Sequence, residues 1–221
     1  MPTADRREFI PRALRCFAAQ TYPNLELIVV DDGTDKIGDL LIAQRKPEVV
    51  RFPITYLPSF PIKENHGQKM NTACAYANGE FCIVWDDDDF YAPDRVFRQI
   101  APLLAAPNYD ICGLANLFYY DKAKQKAWRY IADESEWLGS IAFRRSEWDA
   151  KRFAEIPSGC DRRFQLEHKG KVIAVHGDAV ACAIHATNAG FTNPENKIAK
   201  HPEFFTPIDY QTVVDFTKGD L

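Results

Sequence analysis

The sequence predicts an α/β fold with a mainly parallel sheet, and three observations carry that prediction. Helix-spaced and strand-like apolar segments alternate through the first 110 residues, the pattern of strands joined by crossover helices. Two acidic clusters, Asp31-Asp32 and Asp86-Asp87-Asp88-Asp89, each follow an apolar run directly. Ligands of such sheets gather outside the carboxyl ends of strands, so both clusters fall where a site belongs. The length of 221 residues suits one domain with a sizeable core.

The elements follow in order. Between Arg6 and Gln20, apolar residues at Phe9, Ile10, Ala13, Leu14, Phe17 and Ala18 have the spacing of an amphipathic helix. Leu25 to Val30 reads as a buried strand ending in Asp31-Asp32-Gly33. A helix is expected over 36–45 and a short strand over 54–57. Helix (67–77), strand (81–85) and helix (93–105) follow, with Pro93 in the first helical turn. The second half is less regular. Strands are expected over 109–115, 117–120, 126–131 and 139–143, then a short helix from Ser146 to Phe153 capped by Ser146. A helix over 161–168 and strands over 172–176 and 179–184 close the fold. The last segment carries Pro194, Pro202 and Pro207 and reads as an irregular tail with one short helix. The expected organisation is a single domain, 1–221, divided into halves at 1–110 and 111–190 with a tail at 191–221.

Composition narrows the function. The net charge of −4 argues against nucleic acid as the main partner. No apolar run approaches the roughly 18 residues of a membrane span, which leaves peripheral membrane association open. The amino-terminal residues lack a secretory pattern, so a cytoplasmic location is expected. Cys16, Cys74, Cys82, Cys112, Cys160 and Cys182 are scattered without C-x-x-C spacing, which favours reduced buried thiols over zinc ligands or disulfides.

The run Asp86–Asp89 carries most of the chemistry. Adjacent carboxylates repel one another, and their oxygens suit hard divalent ions. An acidic run is ordinarily solvated surface, but this one follows the apolar Phe81-Cys82-Ile83-Val84-Trp85 and precedes Pro93. An EF-hand loop starting at Asp86 fails, because Tyr91 and Phe97 stand where Gly and Glu are required. A site for a metal ion and a diphosphate is the remaining reading.

Several stretches together resemble the family 2 glycosyltransferases. They are Thr21 to Thr34 with its I-V-V-D-D-G core, Gly67-Gln68-Lys69-Met70-Asn71 followed by Ala77-Asn78-Gly79-Glu80, and the acidic run with Pro93. Gly139-Ser140 with Phe143-Arg144-Arg145, and Gly159-Cys160-Asp161 with Gly170-Lys171, complete the set. Each motif is weak alone, but the order and spacing over residues 2–188 are specific. The resemblance implies a GT-A fold: a nucleotide-sugar-binding half and a smaller acceptor-side half. It implies an enzyme that moves a sugar from a nucleotide-diphosphate sugar, foremost a UDP-sugar, to a saccharide or lipid-linked acceptor, with Mn²⁺ or Mg²⁺ and inversion at the anomeric carbon. A binding protein that has lost turnover is the alternative.

Residue by residue, the resemblance implies donor contacts at Thr3, Asp31, Asp32, Lys69, Asn71, Asp86 and Asp87. It implies metal ligation by Asp88 with Asp86, and by His185 in a late element similar to H-x-x-N. It makes Asp161 the general base, since a sugar hydroxyl needs a carboxylate to take its proton. His66 reads as a loop residue, and the tryptophans at 128, 137 and 148 as core. Two departures stand out. Cys160 replaces the usual Glu beside the base. Pro2-Thr3-Ala4-Asp5-Arg6 is similar to the family's P-T-Y-N-R turn, but the apolar strand that normally precedes the turn is absent, so the fold is expected to lack its first strand.

Overall fold

The apolar runs pair into three sheets in a computed structural model that describes residues 1–44, 52–132, 138–168, 171–183, 198–199 and 201–220. The first sheet is wholly parallel. It joins β1 (Pro2–Thr3), β2 (Leu27–Asp31) and β3 (Ile54–Pro58), with β2 central and buried along its whole length. A two-residue first strand therefore exists, pairing Pro2 with Val30 and Thr3 with Asp31. The expectation of a missing strand is corrected to a shortened one.

The second sheet has the order β10-β6-β9-β4. Its strands are β4 (Phe81–Ile83), β6 (Ile111–Leu114), β9 (Gly139–Arg144) and β10 (Val172–Val175). The third is β12-β8-β7-β11-β5, built from β5 (Phe90–Tyr91), β7 (Asn116–Asp121), β8 (Lys126–Ile131), β11 (Val180–Ala183) and β12 (Phe205–Ile208). In these two sheets, among the described residues, only β10–β6 and β11–β7 are parallel pairs. Parallel pairing thus dominates the amino-terminal sheet, and antiparallel pairing, of which only β7–β8 is a local hairpin, dominates the rest.

The sheets are covered by α1 (Ile10–Ala18), α2 (Gly38–Gln44), α3 (His66–Tyr76), α4 (Arg95–Ala105), α5 (Arg145–Ala150), α6 (Cys160–Glu167) and α7 (Tyr210–Phe216). Helix α3 starts at a reciprocal cap. Asn65 accepts from the Gln68 N–H at 3.0 Å, and the Gln68 side chain accepts from the Asn65 N–H at 2.9 Å. A side chain at Gly67 would place its Cβ 2.0 Å from the Ala154 carbonyl oxygen, so glycine is what lets α3 approach the 154–156 segment. Helix α5 begins at Arg145 with Arg144 in the cap position and no side-chain cap, so Ser146 does not cap it. The tail is more ordered than its prolines suggest: β12 adds antiparallel to β8, and Phe216 of α7 packs edge-on against Phe118. All six cysteines are free thiols. Trp148 is core, as expected, whereas Trp137 and Gly170 lie outside the described residues.

Strands β1 and β4 each lie at the edge of their sheet. Between β2 and β4 lies a cavity of about 530 Å³, lined by Leu27, Ile28, Met70, Cys82, Val84 and Ile100 among others. None of the aspartates of the acidic run lines it. The Met1 ammonium reaches into this region and donates to the Ile28 carbonyl at 2.7 Å, while the Val30 N–H donates to the Met1 carbonyl at 3.0 Å. Burial pulls the pKa of that ammonium down to about 6.

Candidate active site

Strand β2 ends on two aspartates with different tasks. Asp31 is fully buried. Its Oδ1 accepts from the Gly33 N–H at 2.9 Å, and its Oδ2 from the Tyr56 hydroxyl at 2.6 Å and the Ile37 N–H at 3.4 Å. Both oxygens are occupied in shaping the turn after the strand, the Asx role open to any such residue. Asp32 is also buried, but its Oδ1 pairs with Lys69 Nζ at 2.8 Å. Lys69 comes from α3 and donates as well to the Thr3 carbonyl at 3.2 Å. The Thr3 hydroxyl in turn donates to Asp87 Oδ2 at 2.6 Å. A chain of polar contacts, Asp32–Lys69–Thr3–Asp87, therefore links the carboxyl end of β2 to the acidic run after β4.

The run itself is held by its backbone. Arg95, fully buried at the start of α4, donates to the Val84 carbonyl and to the Ser140 hydroxyl and lies over the Trp85 and Tyr91 rings. The Asp86 N–H donates to the Tyr91 hydroxyl at 2.7 Å, and Arg12 donates to the Asp88 carbonyl. The side chains are left facing unfavourable company. Burial, then Asp88 and Asp161, push the Asp86 carboxyl up to about 7. Burial also raises Asp87 to about 7, with Arg6 and Thr3 pulling the other way. Arg6 pairs with Asp88 through one guanidinium nitrogen and with Asp87 Oδ1 at 3.3 Å through another.

Asp161 sits in the first turn of α6, within electrostatic reach of Asp86 and of His66. It does not cap that helix. The cap is Gly159, whose φ of +72° suits glycine. Cys160 is fully buried, and burial pushes its thiol up to about 12, so the residue beside the candidate base is a core residue.

Of the residues expected at the site, Thr3, Asp32, Lys69, Asp86, Asp87, Asp88 and Asp161 are brought together. Asn71 is not. It accepts from Trp148 Nε1 at 2.9 Å and the Phe153 N–H at 3.0 Å, and donates to the Phe153 carbonyl at 3.0 Å, which makes it a clamp between α3 and the loop after α5. His185 lies outside the described residues. The sequence reading missed Arg6 and His66. His66 opens α3, and burial lowers its pKa while Asp161 and Asp88 oppose that effect. It is not a loop residue.

Among the described residues no three histidine, cysteine, aspartate or glutamate side chains converge as a ready-made metal cage. The donor set still fits a hard divalent ion. Mg²⁺ is commonly held by one or two carboxylates and completed by substrate phosphates, and Asp86 and Asp87 resist ionisation because they are buried and have carboxylates beside them, a burden that a bound cation would relieve.

Residues 1–166 match the family described as "Glycosyl transferase family 2". The putative colanic acid biosynthesis glycosyl transferase WcaA of Escherichia coli is 31% identical over 99 residues, 43% of this chain and 33% of WcaA. The structure of S. aureus TarS 1-349 in complex with UDP-GlcNAc superposes with a TM-score of 0.65 at 18% identity, covering 88% of this chain and 61% of that one. The mannosyltransferase PcManGT from Pyrobaculum calidifontis, in complex with GDP-Man and Mn²⁺, gives 0.61 at 19% identity, covering 99% and 67%. These likenesses establish the GT-A fold. The chain spans about a third of the length of WcaA.

Proposed function

We propose that this chain, which belongs to glycosyl transferase family 2, transfers a sugar from a nucleotide-diphosphate donor, foremost a UDP-sugar, to a saccharide or lipid-linked acceptor. The observation that carries the reading is the gathering of Asp32, Asp86, Asp87, Asp88 and Asp161 from three separate stretches of chain. The neighbours TarS and PcManGT bind UDP-GlcNAc and GDP-Man respectively, which supports a nucleotide-sugar donor.

In this reading Asp32, oriented by Lys69, receives the nucleoside end of the donor. Asp86 and Asp88 hold Mn²⁺ or Mg²⁺, which when bound supplies the positive charge that a departing diphosphate requires. Thr3 fixes Asp87 so that the loop keeps its shape as charge builds up. Asp161 accepts the proton of the acceptor hydroxyl, and attack from its side, opposite the leaving group, inverts the anomeric centre. No helix among the described residues is long and apolar enough to cross a membrane, and a cytoplasmic site of action is part of the proposal.

The test is incubation with a panel of nucleotide-sugars and Mn²⁺, assayed for released nucleoside diphosphate. Release is expected with at least one donor, falling by about 100-fold or more in Asp88→Asn and Asp161→Asn, within the range that loss of a general base costs. Donor binding without any release would instead support a non-catalytic binder.

A further inference from the structure

The first loop places a guanidinium on the acidic run. Asp5 pins this loop: its Oδ1 accepts from the Thr34 hydroxyl at 2.9 Å and the Asp35 N–H at 2.8 Å, and its own φ is +51°. The backbone next to Arg6 is therefore fixed, and only its side chain is free to swing. The Arg6 guanidinium packs 5.0 Å from the centre of the Phe9 ring and lies 3.3 Å from Asp87 while pairing with Asp88 Oδ2. Its side chain keeps 28% of its exposure, so it has an outlet toward solvent.

We propose that Arg6 is a tethered counter-cation that occupies Asp88 in the substrate-free protein and competes with the divalent ion for that carboxylate. The proposal rests on the reading above that the run receives a metal ion. Two positive groups on one carboxylate repel each other, so an ion arriving at Asp88 works against the guanidinium already on its Oδ2 and drives it toward solvent. Asp87 loses less in the exchange, because the Thr3 hydroxyl remains bonded to it. Arg6 thereby lets the run stay folded without a metal, at the cost of a weaker grip on one. The loop's other acidic contacts, Asp5 on Thr34 and Asp35, are not involved and leave the tether in place.

The test is Mn²⁺ binding to the intact chain without nucleotide, read from the electron paramagnetic resonance signal of free Mn²⁺. Arg6→Gln is expected to bind Mn²⁺ about tenfold more tightly than the parent, the equivalent of one charge-assisted bond no longer competing. Arg6→Lys, which keeps the charge, is expected to stay near the parent. Equal or weaker binding in Arg6→Gln overturns the proposal, since a merely structural arginine would on removal loosen the site. Should that variant fail to fold, the Arg6 Nε–H resonance of the parent, followed during a Mg²⁺ titration, decides: a shift that saturates with the ion supports displacement, and an unmoved signal refutes it. Asp88→Asn separates the two levels. If it binds Mn²⁺ like the parent, the metal-site reading fails; if it loses Mn²⁺ while Arg6→Gln matches the parent, only the role of Arg6 fails.

Discussion

Asn71 shows how far a side chain's neighbours can redefine it. The motif around it implies a donor contact, yet its amide is used up on Trp148 and Phe153. Removing it would leave two buried donors and a carbonyl without partners, and each such group costs about 1–3 kcal/mol. Asn71→Ala is therefore expected to lower stability by roughly 3 kcal/mol or more while changing nucleotide affinity by less than about twofold. Urea unfolding together with nucleotide titration checks this. A tenfold loss of affinity at unchanged stability would return Asn71 to the donor site. The same locality limits what could be read in advance for Arg6 and His66. Arg6 meets Asp88 across 82 residues of chain, and nothing in its immediate sequence announces that partner. The aspartates were legible because a charged run straight after an apolar strand is a local contradiction that only a site resolves.

At the scale of elements, hydrophobic period located most strands and helices within two or three residues. It failed at β12, because Pro207 reads as a breaker. The strand lies at the edge of its sheet, where a residue without an N–H is tolerated. It also misjudged the first strand, since two residues are too few to show a period. The cavity beside that strand has the position and the apolar lining to receive an extended peptide continuing β1 along β2. Joining an apolar tetrapeptide to the Met1 amino group would turn the buried ammonium into an amide and fill the space with side chains worth about 2 kcal/mol each before entropy. An increase in Tm of at least about 4 °C is expected, against none for a Gly-Ser extension of equal length. Equal melting of the two extended proteins would show that the space does not accept a strand.

For the molecule as a whole, buried acids set the response to pH. Asp86 and Asp87 titrate near 7 when folded, well above the ordinary value of 3.8. Between about pH 5 and 6 the folded protein holds protons that the unfolded chain has released, so stability falls as pH rises. Asp5, Asp39 and Glu167 are held below their ordinary values of 3.8, 3.8 and 4.5, so their contribution changes on the acid side of this window. The Met1 ammonium, near 6 when folded against 8, gives the opposite slope above the window, and His66, which burial holds below its ordinary 6.5, opposes the two carboxyls as a single group within it. Metal-free protein in a chelating buffer should thus melt at a lower temperature at pH 6 than at pH 5, with a smaller difference in Asp87→Asn. Calorimetry measures this directly, and a Tm that rises over that interval contradicts it.

The contacts from Asp32 through Lys69 and Thr3 to Asp87 have one more effect. In the proposed function they bolt the nucleoside end and the phosphate end of the site into a single lever. A ligand that tugs on Asp32 must also stir the carboxylates beyond Thr3, so a fragment carrying only the base and ribose would leave its imprint on how the far end takes up an ion.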